Sequence, residues 1–127
     1  MHFISEDLED YVANHSQAEP ELLAKLNKET YQKIMQPRML SGHFQGRVLS
    51  MLSKIIRPKH ILEIGTYTGY AALCLAEGLA ENGTLDTIDI EEELVDFQRK
   101  YFDVSPWKDQ IFQHLGDAVD IIPTLNK

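Results

Sequence analysis

Apolar residues recur at helical spacing over the first 57 positions and gather into short runs after that. Ser5 precedes the acids Glu6 and Asp7, which predicts a capped helix running to about residue 14. Pro20 suits a second helix start. Leu22, Leu23, Leu26, Thr30 and Ile34 then mark one face until Pro37 ends the segment. Residues 42–56 repeat the pattern, with Phe44, Val48, Leu49, Leu52, Ile55 and Ile56 as the apolar side expected to face the core.

Residues 61–64 (Ile-Leu-Glu-Ile) form a short, nearly continuous apolar run closed by Gly65, which predicts a strand buried on both faces. A helix follows over 69–81, with Leu73, Ala76, Leu79 and Ala80 inward, stopped by Asn82-Gly83. Residues 85–90 read as a second strand. Glu91, Glu92 and Glu93 open another helix, with Leu94, Phe97, Tyr101 and Phe102 on one side and Pro106 beyond its end. Residues 111–115 read as a third strand and 117 to about 125 as a short helix. Strand and helix alternating three times predicts an α/β domain with parallel strands and right-handed crossovers.

With 43% hydrophobic and 25% charged residues, composition is that of an ordinary globular domain, and 127 residues suffice for one. The net charge of −8 disfavours nucleic acid as the main partner, because an acidic surface gains little from counterion release. Cys74 is the only cysteine, so no intrachain disulfide or cysteine-cluster metal site exists; its apolar surroundings suit a buried small hydrophobe. The start of the chain lacks the basic and apolar regions of a secretory signal, and no apolar run approaches the ~20 residues of a membrane span. The expectation is a cytoplasmic protein with no membrane partner.

The candidate chemistry lies at the carboxyl ends of the three strands, which parallel pairing brings to one edge, where open α/β sheets bind ligands. The first strand ends in Glu63-Ile64-Gly65-Thr66-Tyr67-Thr68-Gly69-Tyr70, the second in Asp89-Ile90 and the third in Gly116-Asp117-Ala118. Gly65 allows a sharp turn and a close ligand approach. Asp89 can accept both hydroxyls of a ribose, Ile90 offers an apolar surface to a purine, and Asp117 can meet its edge. A dinucleotide site spaces its glycines so that pyrophosphate lies on bare backbone. Here Tyr67 occupies the place of the middle glycine. Its bulk suits a thioether-like tail over the turn, with Glu63 facing the cationic end of such a ligand. Plainer readings stand beside each of these: a tight turn for Gly65, and helix caps for Asp89 and Asp117.

The segment from Glu63 to Ala72 resembles the glycine loop of the cation-dependent S-adenosylmethionine O-methyltransferases, the catechol and caffeoyl-coenzyme A O-methyltransferases and their bacterial relatives. The resemblance reaches back through Met39-Leu40-Ser41-Gly42-His43-Phe44-Gln45-Gly46 and forward through Thr87-Ile88-Asp89-Ile90 to Pro123. It implies a Rossmann-like methyltransferase fold, here N-terminal helices over 1–57 followed by the first three parallel strands of the cofactor domain over 58–127. It implies S-adenosylmethionine as cofactor. Ser41 and Glu63 would contact its methionine end and Gly65, Thr66 and Tyr67 would line it. Asp89 would bind the ribose, Ile90 would pack on adenine, and Asp117 and Ala118 would border it. Many members carry a cofactor-binding serine where this chain has Ala71, a loss of about 1 kcal/mol.

The family's metal-binding acids and its catalytic lysine belong to later strands, so no catalytic or metal residue is assigned within these 127 residues. The resemblance therefore implies a fragment of a longer enzyme, inactive alone. The intact protein would use a Mg-like divalent cation, methylate a small catechol-like hydroxyl acceptor and form a homodimer. The first strand is central in such a fold, so its free edge is expected to be covered by a partner chain or a crystal neighbour. Rival readings are a methyltransferase of the same family acting on a modified tRNA base, an NAD-type dehydrogenase domain, and a non-catalytic nucleotide-binding module. His43 and His114 lack partners at ligand spacing, and Trp107 reads as packing.

Overall fold

The computed structural model describes residues 4–125. Three helices, α1 (Glu6–Asn14), α2 (Glu21–Lys33) and α3 (Gly42–Ile56), precede β1 (His60–Ile64). Then α4 (Tyr70–Ala76), β2 (Thr84–Asp89), α5 (Val95–Asp103), β3 (Ile111–Leu115) and α6 (Ala118–Ile121) alternate. The strands form one parallel sheet in the order β1-β2-β3. Their carboxyl ends therefore lie together, as the alternation predicts.

Register explains the core. Ile61, Leu85 and Ile111 are aligned across the sheet, and the last two are fully buried. They meet Leu73 and Ala76 of α4 and Tyr101 and Phe102 of α5 in a cluster that also takes in Leu23 and Leu26 of α2. The N-terminal helices thus share one core with the sheet. Trp107 packs against the same cluster. Buried Cys74 is held as a thiol: burial pushes its pKa up to about 12 although Arg47 pulls the other way.

Three expectations are corrected by the structure. First, β1 is not buried on both faces: Leu62 is 47% and Ile64 63% exposed. Helices α4 and α5 pack against β2 and β3 on one face, while among the described residues the short α6 packs beside β2 on the other. Second, most of the apolar stripe of α3 faces away from the core; of its residues Leu49 packs against the core and Val48 is half-buried. Phe44, Leu52, Ile55 and Ile56 are exposed, whereas Gly46, Arg47, Ser50 and Ser53 are buried. Small residues take the inner face because α3 and α4 cross closely. A Cβ on Gly78 would lie 2.3 Å from the Ser53 carbonyl carbon, and one on Gly46 would lie 2.7 Å from the Tyr70 ring. Third, α4 is shorter than the pattern predicts. After Ala76 the chain tightens, with Gly78 N–H donating to the Leu75 carbonyl and Leu79 N–H to that of Ala76.

Candidate cofactor site

The turn after β1 extends the sheet by one bond and then leaves it. Gly65 N–H donates to the Ile88 carbonyl at 2.8 Å, and φ at Gly65 is +93°. A Cβ there would meet nothing within 4 Å, so glycine answers the backbone's need and leaves open space above the turn. Gly69, at φ +97°, closes the turn with its N–H on the Thr66 carbonyl and leads into α4.

Asp89, at the tip of β2, reaches across to this turn. Its Oδ2 accepts from Tyr67 N–H at 2.8 Å and its Oδ1 from Glu91 N–H at 3.0 Å. The carboxylate is thereby fixed beside the turn, and each oxygen keeps a lone pair for another donor. Ile90, next along, is largely exposed at the same edge. Beside them, Gly116 N–H donates to the Asp89 carbonyl at 2.9 Å, which ties the third strand tip to the second. Asp117 caps α6 through Oδ1 to Val119 N–H at 2.9 Å, so the helix-cap reading of this residue holds; Ala118 opens that helix half-buried.

Under the turn lies a polar chain. Thr66 and Thr87, both buried, share a hydroxyl hydrogen bond of 2.5 Å, and Thr87 Oγ1 donates to Glu63 Oε1 at 2.6 Å. Burial pushes the Glu63 carboxyl up to about 7; the Thr87 bond opposes this, and the nearby Asp89 charge adds to it. Among the described residues no cationic side chain is paired with Glu63.

Tyr67 joins the turn to the N-terminal part. Its hydroxyl lies 2.8 Å from the Gln36 carbonyl and 3.1 Å from that of Met35. That connection continues through the short helical turn Pro37–Met39 to Ser41, which flanks the start of α3 half-buried and makes no side-chain cap. Ala71 stands in the first turn of α4. The structure thus links Glu63, Gly65, Thr66, Tyr67 and Asp89 directly by hydrogen bonds or chain adjacency and adds Gly116 to them. Ser41, Ala71, Asp117 and Ala118 stand on the flanking elements.

A family model described as O-methyltransferase matches residues 13–127. The chain belongs to the O-methyltransferase family. It is 33% identical over 81 residues to a catechol O-methyltransferase of Niastella koreensis, covering 64% of this chain and 37% of that protein. With caffeoyl-CoA O-methyltransferase 1 of Zea mays it shares 38% identity over 91 residues, covering 70% of this chain and 35% of the relative. The chain therefore spans little more than a third of the length of these curated relatives.

Among solved structures, the O-methyltransferase TomG of Streptomyces achromogenes, in complex with SAM, superposes with a TM-score of 0.85 at 27% identity. That match covers 98% of this chain and 57% of TomG. Methyltransferase PaMTH1 of Podospora anserina, bound to SAH, gives a TM-score of 0.87 at 24% identity over 100% of this chain and 56% of its own, a likeness of fold. This O-methyltransferase-family chain thus has the Rossmann-like α/β architecture expected of its first three strands.

Two further polar residues, not among those expected from the sequence, connect to the turn by hydrogen bonds. Gln98 of α5 and Gln113 of β3 are bonded to each other, and Gln98 also to the Tyr67 carbonyl. A signal for Gln98 exists: with Leu94, Tyr101 and Phe102 it falls on the apolar side of its helix, where a carboxamide is out of place. The histidines are accounted for otherwise. His43 bonds the Gln17 carbonyl at 2.6 Å, and His114 pairs with Asp86 at 2.7 Å. Among the described residues no group of three or more His, Cys, Asp or Glu side chains is arranged to hold a metal ion.

Proposed function

We propose that this chain is the cofactor-binding part of an S-adenosylmethionine-dependent O-methyltransferase whose acceptor is a small hydroxylated molecule of the catechol or caffeoyl type. One observation carries the reading: the Asp89 carboxylate is clamped 2.8 Å from the Tyr67 N–H of a glycine-closed turn, with Glu63 half-buried beneath it and, among the described residues, paired with no cation. A ribose finds its acceptor in Asp89. A ligand with a cationic end finds in Glu63 a carboxylate whose desolvation it can offset.

The residues fit that ligand and fit a dinucleotide poorly. Tyr67, in left-handed backbone and tied through its hydroxyl to residues 35 and 36, covers the turn where pyrophosphate would need bare N–H groups. When bound, S-adenosylmethionine supplies a methyl group on sulfur for direct displacement by an acceptor oxygen. The chain's own part is to bind and orient. Asp89 accepts the ribose hydroxyls, Ile90 packs on the base, and Thr66 with Thr87 holds Glu63 toward the cationic end. Such positioning accounts for much of the acceleration of a two-substrate transfer. A divalent cation, where the enzyme uses one, would orient the acceptor hydroxyl and lower its pKa.

Calorimetric titration of the purified chain with S-adenosylhomocysteine and, separately, NADH tests the reading. The expected result is saturable binding of S-adenosylhomocysteine, weakened at least tenfold by Asp89→Ala, and no binding of NADH. Binding of NADH alone would overturn it.

A further inference from the structure

The turn that carries this proposed site is held in place by an element outside it. Tyr67 has φ +49°, a region that costs a bulky residue about 1 kcal/mol, so the turn keeps its shape only if its neighbours fix it. The peptide N–H of Tyr67 is held by Asp89. Its carbonyl is held from the middle of α5, where Gln98 Nε2 donates to it at 2.6 Å. Gln98 is 2% exposed, and its own carboxamide oxygen accepts from Gln113 Nε2 at 2.9 Å. The Gln113 amide also reaches the Val95 carbonyl at 3.1 Å, and Arg99 Nη1 lies 3.5 Å from Gln113 Oε1.

A carboxamide is the side chain this position requires. It must donate to a carbonyl on one side and accept from an amide on the other, which no aliphatic residue and no ionised carboxylate can do. An aliphatic side chain would match the apolar neighbours on α5 better, and burying an amide is unfavourable unless both its groups are bonded. Both groups are bonded here, the amide to the Tyr67 carbonyl on the turn and the oxygen to Gln113.

We propose that Gln98, oriented by Gln113, is a positioning residue for the cofactor. It grips the Tyr67 peptide opposite Asp89, so that the turn and the Asp89 carboxylate stand in binding geometry before the ligand arrives. The proposal rests on the adenosyl reading of the site. Without the tether the turn samples relaxed shapes, Asp89 loses its fixed donor, and binding must reorder both.

The test uses the full chain and two variants, Gln98→Leu and Gln98→Glu, with two readouts. In the ligand-free chain, hydrogen exchange of the Tyr67 amide should speed up at least tenfold in Gln98→Leu, while core amides such as that of Leu85 stay protected. S-adenosylhomocysteine affinity, titrated well below the unfolding transition, should fall about tenfold. In Gln98→Glu a neutral carboxyl can both donate and accept, whereas its anion cannot donate. The ratio of variant to wild-type dissociation constants should therefore rise as pH goes from 6 to 9, a dependence that lost packing alone would not produce. An unchanged Tyr67 exchange rate in Gln98→Leu, or a pH-independent ratio in Gln98→Glu, overturns the proposal; the second arm stands if the leucine variant fails to fold. Failure of the wild type to bind S-adenosylhomocysteine would instead sink the adenosyl reading, and the exchange experiment would still judge the tether.

Discussion

At the residue scale the site depends on carboxylates placed where each has a different task. Asp89 is fixed by two backbone N–H groups, and Glu63 is half-buried against a threonine hydroxyl, with desolvation pushing its pKa up to about 7. Because the folded-state pKa of Glu63 lies above its ordinary 4.5, the folded chain holds more protons than the unfolded one between these values. Its contribution to stability therefore falls as pH rises from about 4.5 to about 7 and is flat above. Glu63→Gln should abolish that dependence and stabilise the ligand-free chain at pH 8 by on the order of 1–3 kcal/mol. Urea unfolding at pH 5 and pH 8 checks it, and a variant less stable than wild type at pH 8 would count against the burial argument. The cationic ligand has the opposite preference, so its affinity should weaken on acidification below about 7 in wild type and lose that dependence in Glu63→Gln.

At the element scale the close crossing of α3 and α4 sets the scaffold that presents the turn. Gly78→Ala should destabilise the chain by about 3 kcal/mol or more, because the new Cβ would sit 2.3 Å from backbone of α3 that cannot yield. Thermal unfolding reads this directly, and a shift of only a degree or two would mean that the helices are less closely packed. This crossing also marks where sequence reading succeeds and where it does not. The strands, the glycine turn and Asp89 are legible because they depend on local runs and on which strand ends become neighbours. The orientation of α3 is not. Its apolar stripe obeys helical spacing, yet the tertiary approach selects the small residues Gly46, Ser50 and Ser53 for the inner face. The Gln98–Gln113 bond is similarly hidden, since it joins two elements whose facing positions emerge only when the sheet is assembled.

At the scale of the whole molecule the sheet is covered on one face and half open on the other. Ile88 and Ile64 are in register on that second face, but Ile88 is 1% exposed and Ile64 63%. Ile88→Ser should therefore cost about 3 kcal/mol, whereas Ile64→Ser should change the stability of the chain by less than about 0.5 kcal/mol. Paired denaturation curves decide this, and equal losses would mean that Ile64 is covered in solution. The chain spans about a third of its curated relatives, and among the described residues β1 forms one edge of the sheet, while the carboxyl ends of all three strands are brought together within it.

Amide chemical-shift mapping with S-adenosylhomocysteine shows whether the assembled carboxyl-end edge binds the adenosyl group. The largest shifts are expected on residues 65–70, on Asp89 and Ile90, and on residues 116–118, as one contiguous patch. Shifts centred elsewhere, for example between α1 and α3 around Val12 and Phe44, or no shifts at saturating ligand, would contradict it.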